Sequence, residues 1–256
     1  MRSTRDKGEA FRALHERPGA FPIPNPWDLG SARRLEALGF EALATTSAGC
    51  AEALGRRDGE LSLDDVVAHC AALAAATTLP ISADLENGFG HDGEAVAECI
   101  RRCGAAGVVG GSIEDYTGDP AKPIYELPHA VERIAAAVEA AAALPFPFVL
   151  TARCEHLLRG GRDLDEVLRR LLAYEAAGAD VLFAPGLSTL AQVRLVTSAV
   201  ARPVNVLGPF LPTATVADLA AAGAKRISVG SALQRHAYAA LDAAAILLRD
   251  EGRLAW

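Results

Sequence analysis

A (β/α)8 barrel of the TIM type, one α/β domain spanning 1–256, is the fold this sequence predicts, and three observations predict it. Eight short apolar runs alternate with longer stretches whose apolar residues recur at helical spacing, which implies βαβ units and a parallel sheet. Gly recurs where a helix should stop before a strand, in Leu38-Gly39-Phe40, Ala106-Gly107-Val108, Ala177-Gly178-Ala179 and Ala222-Gly223-Ala224. The length of 256 residues, with no second composition regime, suits one closed barrel of about 250 residues.

The eight strands are expected at 21–25, 42–46, 81–86, 108–114, 148–153, 181–184, 204–207 and 227–229. The stretches between them carry helical spacing, as in Val167, Leu168, Leu171, Leu172 and Ala176. Pro145 and Pro147 stand just before the fifth strand, where a missing N–H is tolerated. No G-x-G-x-x-G follows the first strand, which argues against an open dinucleotide-binding sheet. Residues 231–249 read as a long last helix, and the terminal Trp256 as an apolar residue docked on a partner subunit or on its own barrel.

A net charge of -7 argues against nucleic acid as a partner, since such proteins present a basic face. The N-terminus leads into no signal-like apolar region, and no apolar run is long enough to span a membrane; residues 134–143 are too few and include Glu139. Five cysteines with no C-x-x-C are expected as reduced, mostly buried thiols of a cytoplasmic protein, Cys99 and Cys103 included.

Catalysis in such a barrel sits at the C-terminal ends of the strands. Asp84 and Glu86 end the third strand at i and i+2, so they should share a face. Glu114 ends the fourth, with Asp115 next. Arg153 ends the fifth, with Glu155 and His156 beyond; Asn205 lies on the seventh, and Asp58 in the loop 55–59 after the second. Converging carboxylates would repel and raise one another's pKa, and a hard divalent cation such as Mg²⁺, or Mn²⁺ in its place, removes that penalty. The competing reading pairs Glu86 or Glu114 with Arg153 in a buried ion pair, which leaves the remaining acids uncompensated. For Asp58 the competing reading is a plain Asp-Gly turn.

Arg153 has the shape to grip a substrate carboxylate with two hydrogen bonds. Thr46, Ser47 and Ala48 offer hydroxyls and backbone N–H groups to a second anion, or form a simple turn. Cys154 should face away from Arg153 into the core, and His156 belongs to a loop. Only Lys7, Lys122 and Lys225 exist; Lys225 lies at the wrong end and only the loop residue Lys122 comes near, which counts against imine chemistry.

Pro24-Asn25-Pro26-Trp27-Asp28, Thr45-Thr46-Ser47-Ala48-Gly49, Leu54-Gly55-Arg56-Arg57-Asp58-Gly59-Glu60, Ala83-Asp84-Leu85-Glu86-Asn87-Gly88-Phe89-Gly90, Ser112-Ile113-Glu114-Asp115 and Thr151-Ala152-Arg153, in this order and spacing, resemble the isocitrate lyase/phosphoenolpyruvate mutase superfamily. The resemblance implies dimers or tetramers that swap the last helix. It implies Mg²⁺ near Asp84, with Glu86, Glu114 and Asp58 acting directly or through water. It also implies that Arg153 and Thr46-Ser47-Ala48 hold the carboxylate and 2-oxo oxygens of the substrate. Asn205, on the seventh strand, is a further candidate substrate-binding residue. The shared chemistry forms or protonates a Mg²⁺-bound enolate of a small 2-oxo acid.

The departures bear on the reaction. The lyases of this superfamily carry a Lys-Lys-Cys-Gly-His loop after the fourth strand, and here 116–125 has neither Cys nor His. The mutases carry Lys and Asn there, and here Lys122 has no following Asn. Three readings follow. The first is a carbon–carbon lyase or decarboxylase acting on a small 2-oxo or 2-hydroxy dicarboxylic acid, with Tyr116 or a metal-bound water as proton donor. The second is a phosphonopyruvate hydrolase or phosphonomutase, and the third a catalytically silent 2-oxo acid binding protein.

Overall fold

The computed structural model describes residues 2–255, so the expectation for Trp256 lies outside the described residues. Eight parallel strands build the barrel: β1 (Phe21–Ile23), β2 (Leu43–Ala44), β3 (Ile81–Asp84), β4 (Gly110–Glu114), β5 (Val149–Arg153), β6 (Val181–Phe183), β7 (Val204–Leu207) and β8 (Arg226–Ser228). They are hydrogen-bonded in the order β1-β8-β7-β6-β5-β4-β3-β2. The remaining seam is bridged where the Ala44 N–H donates to Pro24 O at 3.1 Å.

The helices are α1 (Thr4–Glu16), α2 (Leu29–Ala37), α3 (Ser47–Ala53), α4 (Leu63–Ala76), α5 (Gly93–Ala105), α6 (Leu127–Ala142), α7 (Leu164–Ala176), α8 (Leu190–Ala199), α9 (Val216–Ala221) and α10 (Ala232–Glu251). Several start on side-chain caps, as at Ser62, which accepts from the Asp65 N–H while Asp65 accepts from the Ser62 N–H. Two glycines matter for α1, which lies under the barrel. A Cβ on Gly8 would stand 2.3 Å from Pro147 O, and one on Gly110 would stand 2.7 Å from Phe11 Cε1. Bare backbone at both positions lets Phe11 and Leu14 enter the lower barrel and pack with Phe21, Ile23, Val109, Val149 and Val181. A second, larger core fills the space between sheet and helices and takes in all five unpaired cysteines.

Six strands are shorter than expected: β1, β2 and β3 end early, where polar residues leave the ladder to form the rim, whereas β4 and β5 start late and still end on Glu114 and Arg153. Asn25 illustrates this: its Nδ2 donates to Thr45 O at 2.9 Å, and its Oδ1 accepts from the Val229 and Gly230 N–H groups at 2.9 Å each. One amide thus ties the upper ends of β1, β2 and β8. Two differences reach the site. β8 begins one residue early, so Arg226 belongs to it. β3 ends at Asp84, and Glu86 has φ 48°, a left-handed conformation, so Glu86 is not carried on the strand face.

The last helix behaves unlike the others. Among its described residues only Gln234 is buried, while Leu241 and Ile246 are 62% and 48% exposed. No helix of the described residues is long and apolar enough to cross a membrane.

Candidate active site

The upper end of the barrel opens into a cavity of about 270 Å³, lined among others by Thr46, Ser47, Ala48, Asp58, Asp84, Arg153, Asn205, Arg226 and Arg235. Asp84 stands at the end of β3, where its own N–H donates to Thr45 Oγ1 at 2.8 Å. Its Oδ2 accepts from the Ser47 N–H at 3.1 Å and its Oδ1 from Arg153 Nη1 at 3.4 Å. The loop after α3 brings Asp58 to the same place, and Ser47 Oγ donates to Asp58 Oδ1 at 3.1 Å. Asp58 is therefore at the site and not merely part of a turn. Thr46 caps α3, accepting from the Gly49 N–H. The Thr46–Ala48 segment thus positions the acids as well as lining the cavity.

Arg153 is the hub. Its Nε donates to Glu155 at 2.6 Å, and its Nη1 lies 3.1 Å from Glu114. The Arg153–Glu114 ion pair weighed from sequence is present, but it does not exhaust the acids. Arg159 adds a second cation, bonding Glu155 at 2.9 Å and approaching Glu114 to 3.7 Å. Burial alone would lower the Arg153 pKa; Glu114, Glu155 and Asp84 overcome this and hold it well above the ordinary range. Burial pushes the Glu114 carboxyl upward, against the pull of Arg153.

Glu86 reaches this cluster by its left-handed turn and not by the strand alternation expected for it. Its carbonyl accepts the Glu114 N–H at 2.9 Å. Arg133, buried beneath the loop, donates to the carbonyls of Asn87 and Gly90 and holds the segment in place. Burial first, and then the charges of Asp84 and Asp58, raise the Glu86 pKa to about 7. Its Oε1 is buried and has no hydrogen-bond partner.

Among the described residues, Asp58, Asp84, Glu86, Glu114 and Glu155 thus face only Arg153 and Arg159 as close cations. That excess of hard oxygen donors, with one orphaned carboxylate oxygen, fits a divalent cation. No three His, Cys, Asp or Glu side chains among the described residues are arranged to enclose an ion by themselves. A cation held at this rim would complete its coordination with water, as Mg²⁺ does.

Other expectations resolve simply. Cys154 is fully buried, and burial raises its thiol pKa. His156 lies beyond β5, its ring filling the space beside Gly161. Tyr116 packs under Arg159, whose Cζ is 3.5 Å from the ring centroid, and it does not line the cavity. The 116–125 loop is pinned as a small hairpin through a Tyr116–Ile124 bridge, with Lys122 exposed and away from the cavity lining. Lys7 donates to the Ala74 and Thr77 carbonyls at 2.9 and 2.8 Å, and Lys225 to Gly19 O at 2.7 Å, so neither serves the upper end.

Asn205 lies on the cavity floor with its amide engaged at both ends. Nδ2 donates to Ser228 Oγ at 3.0 Å, and Oδ1 accepts from Arg226 Nε at 2.9 Å. Sequence reasoning missed Arg226, Arg159, Arg235 and the buried role of Glu155. For Arg226 the signal was present: starting β8 one residue earlier puts 226 and 228 on the inner face and Ile227 in the outer core.

A parallel eight-stranded barrel with an acidic, arginine-braced cluster at its C-terminal rim defines an α/β-barrel enzyme. The profile of the phosphoenolpyruvate phosphomutase family matches residues 11–249, and the chain belongs to that family, within the isocitrate lyase/phosphoenolpyruvate mutase superfamily of carbon–carbon lyases and mutases. A Burkholderia cenocepacia J2315 structure provisionally described as a lyase/mutase is 56% identical, with a TM-score of 0.95 over 98% of this chain and 91% of that one. The 2-methylisocitrate lyase of Escherichia coli K12 is 32% identical over 79% of this chain and 70% of its own length. A phosphonopyruvate hydrolase solved with oxalate and Mg²⁺ is 25% identical, with a TM-score of 0.88 over 96% of this chain and 88% of that one.

Proposed function

We propose that this protein is a Mg²⁺-dependent lyase or decarboxylase-type enzyme acting on a small 2-oxo or 2-hydroxy dicarboxylic acid, with an enolate as the species to be stabilised. The observation that supports it is the excess of carboxylates over cations at the rim, with Glu86 Oε1 left unbonded. Asp84 is the residue to hold the cation, with Glu86, Glu114 and Asp58 acting directly or through water. When bound, the cation supplies Lewis acidity toward the 2-oxo oxygen of the substrate.

The chain's own residues do the rest. Arg153 lines the cavity and carries its charge toward the oxygen where negative charge develops. Glu114 and Glu155 keep that guanidinium fixed, so little reorganisation is needed when the substrate enters. Ser47, held between Asp84 and Asp58, orders both acids and lines the substrate space with Thr46 and Ala48. Lys122, the lysine weighed for the phosphonomutase reading, is exposed on the 116–125 loop and, like Glu86 and Glu114, is not part of the cavity lining.

The exposed apolar residues of α10 support its exchange with a second copy, giving a homodimer or homotetramer. Five free cysteines fit a cytoplasmic setting. The test is an NMR time course with Mg²⁺ and oxaloacetate, 2-methylisocitrate, phosphonopyruvate or 2-oxoglutarate, against the Asp84→Ala variant and Mg²⁺ alone. Turnover of a dicarboxylic acid that the variant loses is the expected result. Saturable binding without product would instead favour the silent binding protein, and turnover of phosphonopyruvate alone would favour the phosphonate enzymes.

A further inference from the structure

One acid of the upper rim is turned away from the cavity. Asp115 follows Glu114 at the end of β4 and faces the opposite side, toward α7, where it is buried. Its carboxylate accepts three hydrogen bonds. Oδ2 takes the Tyr174 hydroxyl at 2.6 Å and Arg170 Nη1 at 3.1 Å, from two side chains one turn apart on α7. Oδ1 takes the Glu155 N–H at 2.7 Å. Burial first, and then the Asp115 charge, push the Tyr174 hydroxyl up, so it keeps the proton it donates.

The bond to Glu155 is the one that bears on the site. Past β5 the chain gives the Cys154 N–H to Phe183 O on β6 at 2.7 Å and then leaves the ladder. The next N–H, that of Glu155, is held by the Asp115 side chain in place of a strand. The Glu155 carboxylate, fully buried, then bridges the two rim cations, Arg153 Nε at 2.6 Å and Arg159 Nε at 2.9 Å. The Asp115 backbone is tied to the same place. Its N–H donates to Arg153 O at 3.1 Å, and its carbonyl accepts the Tyr125 N–H at 3.0 Å, while Arg170 Nη1 donates to Tyr125 O at 2.9 Å. A buried carboxylate is a costly way to fill space between strand and helix, and an apolar side chain there would leave the Glu155 N–H unpaired.

We propose that Asp115 is a positioning residue: through the Glu155 N–H it fixes the carboxylate that orients Arg153 and Arg159, and so sets how Arg153 meets the substrate. This rests on the reading that Arg153 faces the substrate oxygen where negative charge develops. Asp115 itself touches no substrate. Arg170 and Tyr174 hold it from α7, so the placement of the arginines is set from the helix layer outside the barrel. Asp84 is placed separately, by Ser47 and Thr45 on the β2 side, and meets this network only at Arg153 Nη1.

The experiment pairs two titrations of the full chain and its variants. Mn²⁺ followed by electron paramagnetic resonance reports the cation end, and calorimetry of oxalate under saturating Mg²⁺ reports the Arg153 end. Asp115→Ala should weaken oxalate about tenfold or more, the scale of one charge-assisted hydrogen bond, with Mn²⁺ affinity within about twofold of the wild type. Asp115→Asn restores an acceptor for the Glu155 N–H and should recover oxalate binding to within about threefold of the wild type. Tyr174→Phe removes a single oxygen, so it folds even where Asp115→Ala does not, and should weaken oxalate about threefold. Phe11→Ala at the lower end is the control for lost stability: its melting temperature should fall at least as far, with oxalate affinity unchanged. Unchanged oxalate affinity in Tyr174→Phe, or in folded Asp115→Ala, would overturn the positioning role and leave the substrate reading standing. A parallel fall in Mn²⁺ affinity, or an equal loss of oxalate binding in Phe11→Ala, would also overturn it and show a general scaffold effect. Failure of the wild-type protein to bind oxalate would overturn both readings.

Discussion

The two ends of the barrel solve opposite problems with the same strands. At the lower end most strands start on apolar residues, and α1 drives Phe11 and Leu14 between them, so the interior there is filled. The cations there are spent on carbonyls, Lys7 on Ala74 and Thr77, Lys225 on Gly19. At the upper end β1, β2 and β3 stop early, polar residues leave the ladder, and carboxylates outnumber the cations that reach them. Stability is concentrated below and chemistry above, as expected where catalytic residues come from strand ends on a packed scaffold.

Substitutions at the two ends should therefore separate cleanly. The largest effect is expected for Asp84→Ala, with kcat/KM falling about 10³-fold or more and little change in melting temperature. Steady-state rates and thermal unfolding measured on one preparation check both halves of that statement. Phe11→Ala should do the reverse, costing about 3–5 kcal/mol of stability, read by urea unfolding, with divalent-cation affinity retained. A variant at either end that damaged both properties equally would break the separation.

The ends should also respond oppositely to pH. The Glu86 pKa is raised from 4.5 to about 7 in the folded protein. Its contribution to the stability of the metal-free protein is therefore full below about pH 4.5 and lost as pH rises through 7. Glu86→Gln should remove that loss, so the variant gains on the wild type between these limits, while divalent-cation binding by the wild type strengthens over the same range. The His15 pKa is lowered from 6.5 to about 3. Its contribution is present above about pH 6.5 and lost as pH falls through 3, and His15→Gln should flatten that acid-side loss. Thermal unfolding against pH for both variants distinguishes the two slopes. The smallest effect is expected for the exposed Arg17–Glu41 pair, where Arg17→Ala should cost under about 1 kcal/mol and leave activity unchanged.

The eight-fold alternation was legible because each βα unit writes its own periodicity, and the helix-ending glycines mark the joints. Asp84, Arg153 and Glu114 were legible because they stand at the ends of apolar runs. Glu86 stands beside the cluster by a route other than the expected one: the i, i+2 rule assumes an unbroken strand, whereas the chain turns left-handed there and Arg133 holds the turn from beneath. Such a turn leaves no period in the sequence. Arg226 was missed through a one-residue shift in β8, and a one-residue shift moves every side chain to the opposite face. Arg159 could not be anticipated, because it reaches Glu155 and Glu114 from a loop beyond β5 that carries no periodicity.

The central claim is that the acidic rim is a divalent-cation site built on Asp84, and the most direct measurement is a Mn²⁺ titration followed by electron paramagnetic resonance, with Mg²⁺ as competitor. One saturable site per chain is expected in the wild-type protein, abolished in Asp84→Ala and weakened in Glu86→Gln. Undiminished Mn²⁺ affinity in Asp84→Ala would contradict it.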